Sequence, residues 1–382
     1  MSKPTRVGID LAPAARGESA PGTARLVTEQ ARALLALDVD WEWVPLVESD
    51  RNPLWPAIEH LKPQIVRGKR WWTRATFQVG TAWKQLGCSL GFATAYFVPW
   101  RGIPVVANFF DSNLFEHGHT WVSSGRRWNY HLNRNLCLLS LYRAKRMFIL
   151  SNYCRDYMAR RYPSVAGKLV VTPCGVGSVL PFRDRKPDWA TGIFRPFFLY
   201  VGVFSDNKNQ RRLIEAWGRL QQENVELPAL VLIGNCPEDY MSRVIQPCIR
   251  GLSRPNEVVL TGKVSDEDLG WAYRQALAYV QPSIAEGFGL PVVEAMSYGL
   301  PVACSQSTSL PEVAGNAAVY FDPFNVDSMV PVLKRLWLDE TLRRQLSALG
   351  LERCKTFTWE NNAAIVAREI NSLLRALPAA KH

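Results

Sequence analysis

No apolar run in this 382-residue sequence approaches the length of a helical membrane span, so a spanning helix is not expected. The opening residues, MSKPTRVGIDLAP, carry no signal-type apolar region and lead directly into a strand. A cytoplasmic chain is expected. Eight cysteines (Cys88, Cys137, Cys154, Cys174, Cys236, Cys248, Cys304 and Cys354) are scattered, with no C-x-x-C pair. That argues against a disulfide framework and a zinc site, and it fits reduced thiols. Zinc-finger and RRM-like motifs are missing, and so are internal repeats. What is present is the composition of a folded globular protein, 47% hydrophobic and 21% charged. The length suits two domains, each with its own core. A net charge of +11 asks for an anionic partner. On charge alone, nucleic acid, an anionic membrane surface and an anionic nucleotide-sugar all stay open.

The most informative stretch is QPSIAEGFGLPVVEAMSYGLP, Gln281 to Pro301. Ala276 to Val280 before it predicts a short strand, closed by Pro282. Glu286 follows, then a Gly287-Phe288-Gly289 turn, with Pro291 at the expected start of a helix. That helix holds Glu294 and stops at Gly299, and Pro301 opens a strand at Val302 to Cys304. A glycine loop feeding a helix N-terminus favours an anion at Gly289 and Leu290, where N–H groups lack partners and the dipole is positive. Glu286 beside that anion and Glu294 on the helix would suit a hydroxyl-rich nucleotide. Short glycine motifs occur often by chance; the signal lies in the whole string.

In chain order, Arg6 to Leu11 reads as a buried strand, ARGESAPGTAR as a loop and Thr23 to Leu37 as a helix. Gly22 stands at that helix start, in either a ligand-facing loop or a flexible turn. Val39 to Val47 alternates as a second strand. From Arg67 to Trp100, basic and aromatic residues interleave (Arg70, Arg74, Lys84; Trp83, Phe92, Tyr96, Trp100). Three readings stand: contact with lipid headgroups, a nucleic-acid grip, or a loop over a core. Ile103 to Phe109 is an apolar run ending at Phe110-Asp111. His117 and His119 lack a third ligand nearby and do not make a metal site. Leu132 to Ala144 predicts a helix, Arg146 to Leu150 a strand, and Ser151 a cap for a helix through Tyr162. Leu169 to Gly177 ends the first half as a strand and turn, and Pro181 to Pro196 reads as a linker. Strands follow at Phe198 to Gly202, Ala229 to Gly234 and Val258 to Gly262. Between the first two lie the loop VFSDNKNQ and a helix from Arg211 to Leu220. Ser265 and Asp268 form a capping-box variant, and Val326 to Leu377 reads as helical throughout. The β/α alternation of both halves predicts two Rossmann-like domains.

Glu286 and Glu294 have seven residues between them, and EGFGLPVVEAMSYGLPV resembles the E-x7-E segment of retaining GT-B glycosyltransferases of family 4. SLPEVAG (Ser309 to Gly315) and AAVYFDP (Ala317 to Pro323) continue the resemblance, which is specific in the second half of the chain. It implies an α/β GT-B architecture of two doubly wound Rossmann-like domains facing across a cleft. Residues 1–185 would be the acceptor side, 186–360 the nucleotide-sugar side, and 361–382 a helix crossing back. The implied reaction transfers a sugar from a nucleotide-diphosphate donor to a hydroxyl, with retention, no cofactor and no metal. By resemblance, Glu294 holds ribose hydroxyls, and Glu286 with the N–H groups of Phe288, Gly289 and Leu290 holds the donor sugar and its phosphate. Lys208 meets the departing diphosphate, backbone near Lys263 and Val264 faces the base, and Gly22 lies in the cleft loop. Asp111 is the acceptor-side carboxylate and the candidate base. Two positions depart from the pattern: Phe110 replaces a frequent histidine and Val203 a frequent arginine, with Arg211 or Arg212 as substitutes. The implied acceptor is a glycan or lipid-linked oligosaccharide of surface polysaccharide such as lipopolysaccharide, and mannose from GDP-mannose is the first expectation. Peripheral contact with an anionic membrane at the inner face of the cell is expected with it, and nucleic acid is disfavoured. The alternatives are a nucleotide-sugar-binding protein without turnover, or a sugar phosphorylase or epimerase on the same fold.

Overall fold

The computed structural model describes residues 4–15, 21–68, 73–110, 112–116, 127–177, 180–181, 184–223 and 226–377. The chain divides into two compact units, one of residues 1–118, 122–175 and 358–382, the other of 119–121 and 176–357. Each is built on one parallel sheet.

The first unit holds β1 (Thr5–Asp10), β2 (Trp41–Val47), β3 (Gln64–Ile65), β4 (Leu90–Ala93), β5 (Val105–Phe109), β6 (Arg146–Ile149) and β7 (Leu169–Val171). Their order across the sheet is β3-β2-β1-β4-β5-β6-β7. Apart from the exposed two-residue β3 at the edge, the strands are mostly apolar runs because both faces are covered, as parallel sheets require. Trp83 is fully buried against two of them. A Cβ on Gly8 of β1 would come within 2.2 Å of its indole, and one on Gly91 of β4 within 2.4 Å. These glycines admit the ring. The helix Trp359–Ala376 packs on the helix Pro21–Leu35 in this same unit.

The expectation for the basic, aromatic segment is corrected in part. Trp83 and Phe92 are core residues, and Tyr96 packs on Phe109 and Phe110. Arg74 is 1% exposed and donates to both Asp10 oxygens at 2.8 and 2.9 Å and to the Val66 carbonyl at 2.6 Å, so it ties β1 to its neighbours rather than facing lipid. Trp100 is exposed. Arg70 lies outside the described residues.

The second unit holds β8 (Phe197–Val201), β9 (Ala229–Ile233), β10 (Val258–Gly262), β11 (Ala278–Gln281), β12 (Val302–Ser305) and β13 (Ala318–Phe321). The order is β10-β9-β8-β11-β12-β13. Counted from its first strand, that is 3-2-1-4-5-6, the doubly wound order of dinucleotide-binding folds. Phe198, Tyr200, Leu230, Leu232 and Val280 enter one core, while Phe197, Leu199, Val231, Ile233 and Tyr279 enter another. That alternation places a core on each face of the sheet. Predicted helix starts hold: Ser151 accepts from Cys154 N and Ser265 from Asp268 N. The C-terminal region is not helical throughout. It breaks into Val326–Leu338, Glu340–Cys354 and Trp359–Ala376, because Asp339 and Thr358 are extended and cap the helices that follow them.

Candidate functional site

In an open parallel sheet, ligands bind beyond the carboxyl ends of the strands where the winding reverses. In the second unit that point lies between β8 and β11, which pair directly (Phe198 with Ala278, Leu199 with Tyr279). The loop after β8 carries Lys208 and the loop after β11 carries Glu286. Lys208 Nζ lies 2.6 Å from Glu286 Oε1. The lysine side chain is 28% exposed and the glutamate 11%, so the pair is largely shielded from solvent.

Two asparagines set this juxtaposition. Ser205 caps the short turn Asp206–Lys208. Asn207 Nδ2 donates to the Ala285 carbonyl at 2.9 Å, and its own carbonyl accepts from Ile284 N at 2.8 Å. Asn209 takes a left-handed conformation (φ 61°), which asparagine tolerates better than most residues, and its amide donates to the Pro282 and Pro323 carbonyls at 3.0 and 2.7 Å. The lysine turn is thus stitched to the loop that leads into Glu286. Behind the carboxylate, Gln281 Nε2 donates to Glu286 Oε1 at 3.0 Å and to Ser283 Oγ at 2.7 Å, while Tyr279 donates to Gln281 Oε1. Glu286 N donates to Thr308 Oγ1 at 2.9 Å, and Ser309 Oγ donates to the Glu286 carbonyl at 2.9 Å. Both atoms of the peptide that bears the carboxylate are held by the segment at the start of SLPEVAG.

Below lie two fully buried phenols, Tyr200 and Tyr279. Burial raises both of their pKa values, and the Glu286 charge adds to the effect on each; for Tyr279 the Glu294 charge adds as well. Both stay protonated: Tyr279 donates to Gln281, and the Tyr200 hydroxyl accepts from Gln210 Nε2 at 2.8 Å.

The glycine turn follows its predicted form. Gly289 has φ +97°, and a Cβ there would meet Leu310 Cδ2 at 2.5 Å. The helix Leu290–Ser297 starts directly after it with Pro291 in its first turn, and Gly299 (φ +71°) closes it. Phe288 is buried, with its ring edge-on to Phe357 at 5.3 Å, so its side chain belongs to the core and only its backbone is suited to a ligand. Glu294 is 6% exposed and Oε2 accepts from Tyr273 OH at 3.0 Å. Tyr273 is stacked on Tyr298 (5.1 Å, 12°), whose hydroxyl accepts from Leu180 N at 2.8 Å. Val264 is half-buried in the turn between β10 and the helix Asp266–Gln275 of the same unit.

Gly22 belongs to the first unit and is exposed in the first turn of the helix Pro21–Leu35, with open space around it. Asp111, His117 and His119 lie outside the described residues. Phe110 is 5% exposed and edge-on to Tyr96 at 4.9 Å. At the position of the departure from histidine, the side chain has joined an aromatic cluster. Val203 is exposed. Arg211 pairs with Glu215 at 2.6 Å, while Arg212 donates to Asn209 Oδ1 at 2.9 Å and so stands beside the lysine turn. Asn207, Gln281, Thr308 and Tyr273 had no sequence signal, since each acts through a partner distant in the chain. Among the described residues, no three His, Cys, Asp or Glu side chains group as a metal site, and no helix is long and apolar enough to cross a membrane.

Residues 187–353 match the family of glycosyl transferases group 1. O-antigen chain mannosyltransferase B of Escherichia coli is 34% identical over 231 residues, which are 58% of this chain and 59% of that protein. The matched part therefore spans about three-fifths of the relative's length. Sucrose-phosphate synthase from Thermosynechococcus elongatus superposes with TM-score 0.74 at 19% identity, over 98% of this chain and 100% of that one. WaaG, a glycosyltransferase involved in lipopolysaccharide biosynthesis, superposes with TM-score 0.68 at 16% identity, over 95% and 99%. At these identities the likeness is one of fold, and the fold is GT-B.

Proposed function

We propose that this chain, which carries a glycosyl transferases group 1 domain in residues 187–353, is a retaining mannosyltransferase of surface polysaccharide assembly. Its donor is GDP-mannose and its acceptor a hydroxyl of a glycan or lipid-linked oligosaccharide at the inner membrane face. The observation that carries the reading is the Lys208–Glu286 pair at the winding reversal, beside the N-terminus of the helix Leu290–Ser297. The similarity to the O-antigen chain mannosyltransferase of Escherichia coli supports mannose as the sugar.

In this reading the diphosphate lies against the backbone N–H groups of Gly289 and Leu290. Lys208 turns from Glu286 to the leaving phosphate as negative charge develops there. The cation and the helix start do the work that a divalent metal does in other transferases. Glu286, released from the lysine yet still held by Gln281 and Thr308, accepts from sugar hydroxyls. Glu294 accepts from the ribose, the turn at Val264 faces the base, and Asp111 stands on the acceptor side.

The test is transfer from radiolabelled GDP-mannose to a lipid-linked acceptor extract in EDTA, with UDP-glucose, UDP-galactose and dTDP-rhamnose as competing donors. An α-linked product is expected. Lys208→Ala should lower kcat by roughly 10²–10³, the usual effect of losing one donor aimed at developing charge. An inverted product, or full activity in Lys208→Ala, would sink the assignment.

A further inference from the structure

Among the described residues, three that are not glycine take a positive φ: Lys62 (54°), Asn209 (61°) and Thr308 (53°). Lys62 closes an exposed turn, and Asn209 is of a type that tolerates the left-handed region. Thr308 is β-branched, so its side chain crowds the backbone there and the conformation is costly. Strain of this kind persists only where the surroundings impose it, and it collects at ligand sites. Glycine would take the same backbone without that cost. What threonine adds is a hydroxyl.

That hydroxyl is engaged on one side only. Thr308 Oγ1 accepts from Glu286 N at 2.9 Å. The loop has other restraints. Ser309, fully buried, donates to the Glu286 carbonyl at 2.9 Å, and Asn207 and Asn209 donate to the Ala285 and Pro282 carbonyls. The bond from Glu286 N occupies one lone pair of Oγ1 and turns the hydroxyl proton away from that peptide. Thr308 is half-buried, and its proton has no acceptor among the described residues.

Glu286 is divided in the complementary way. Lys208 Nζ (2.6 Å) and Gln281 Nε2 (3.0 Å) both donate to Oε1, and no described residue donates to Oε2. An open carboxylate acceptor thus stands one hydrogen bond away from an open hydroxyl donor. An ionised phosphate can only accept, and the carboxylate would repel it. An ammonium can only donate, and it would leave the threonine proton unmet. A sugar hydroxyl both donates and accepts, and it satisfies the two together.

We propose that Thr308 is a specificity-determining residue of the donor site, whose hydroxyl donates to the same sugar hydroxyl that gives its proton to Glu286 Oε2. The inference rests on the transferase reading above. The strained backbone is then part of sugar recognition, with stability given up to aim one donor.

The test is steady-state kinetics of the full chain with the nucleotide-sugar that the wild type turns over and with versions of it that each lack one sugar hydroxyl. Calorimetric binding of the nucleotide diphosphate alone accompanies it. Thr308→Gly should lower kcat/KM for the intact donor roughly tenfold, the effect of one hydrogen bond. Its affinity for the diphosphate alone should match wild type, and its melting temperature should hold or rise, since glycine removes the strain. Thr308→Ser keeps the hydroxyl and should stay within about twofold of wild type. One deoxy donor should cost the wild type most, and roughly tenfold of that penalty should vanish in Thr308→Gly.

Unchanged kcat/KM in Thr308→Gly overturns the proposal. So does an equal loss in that variant with every deoxy donor, or a weakened hold on the diphosphate; either would reduce Thr308 to a support for the Glu286 loop. A wild type that turns over no donor removes the transferase reading and this one with it. A wild type that turns over a donor no faster than Thr308→Gly removes this one alone.

Discussion

Tyr273 is wholly buried in the second unit, 21 residues before Glu294, and reaches that carboxylate with its hydroxyl at 3.0 Å. A carboxylate that accepts ligand hydroxyls must be held in one rotamer, and a phenol stacked on Tyr298 is a rigid way to hold it. Tyr273→Phe keeps the ring stack and removes the donor, a loss of about 1 kcal/mol. If Glu294 binds ribose equally in ground and transition states, the donor KM should rise roughly fivefold with kcat nearly unchanged. Steady-state kinetics with varied donor separates the two constants. A lower kcat at constant KM would remove Glu294 from ribose binding. At this scale the sequence told half. Glu286, Gly289 and Glu294 were readable because their spacing and turn chemistry are local. Tyr273, Gln281 and Asn207 were not, because their value lies in partners brought close by the sheet.

Glu257 shows how elements of the second unit are joined. It lies in the turn Pro255–Glu257 before β10. It accepts from Arg195 (2.8 Å), just before β8, from Arg254 (2.8 Å), and from Gln221 (3.0 Å) in the helix Gln210–Gln222. Burial alone would raise its pKa, but the donations from Arg195, Arg254 and Gln221 outweigh it and lower the value below the ordinary 4.5. A depressed folded pKa means that the unfolded chain binds the proton more readily. The contribution is therefore present above the ordinary value and is lost as pH falls through the folded one. Glu257→Gln should cost about 1–3 kcal/mol near pH 7, with the gap to wild type closing as pH drops below 4.5. Urea midpoints at neutral and acidic pH would show it, and a gap constant with pH would place the stabilisation elsewhere. Elements were the most legible level of this chain: the apolar runs that became β8, β9 and β10 and the caps at Ser151 and Ser265 were predicted within a residue or two. The two-residue β3 and the four-residue β4 were not read as strands. Phe92 of β4 was read among the interleaved basic and aromatic residues of 67–100, while the structure uses Gly91 and Phe92 to close the core around Trp83.

At the scale of the molecule, the chain leaves its first unit after Gly175 and returns at Thr358. Residues 176–357 of the second unit are therefore one continuous insertion, its ends joined by the Val176 N to Phe357 carbonyl bond at 2.8 Å. The first unit is completed only by the returning helix, through one buried relay of amides. Asn362 Nδ2 donates to the Thr172 and Pro173 carbonyls at 3.1 and 2.8 Å, and its Oδ1 accepts from Gln30 at 2.8 Å. Gln30 in turn accepts from Asn108 of β5 at 2.7 Å. Asn362→Ala strands a buried amide donor and two carbonyls at once, at about 1–3 kcal/mol for each group left unsatisfied. Because the units have separate cores, the loss should fall on one of them. Hydrogen exchange followed peptide by peptide should show the amides of β1, β4 and β5 exchanging roughly 100-fold faster, the effect of about 3 kcal/mol on a shared opening. Amides of β8, β9 and β11 should keep their wild-type protection. Equal acceleration in both units would mean that they open together, and the insertion would then be a feature of the chain's path with no bearing on stability.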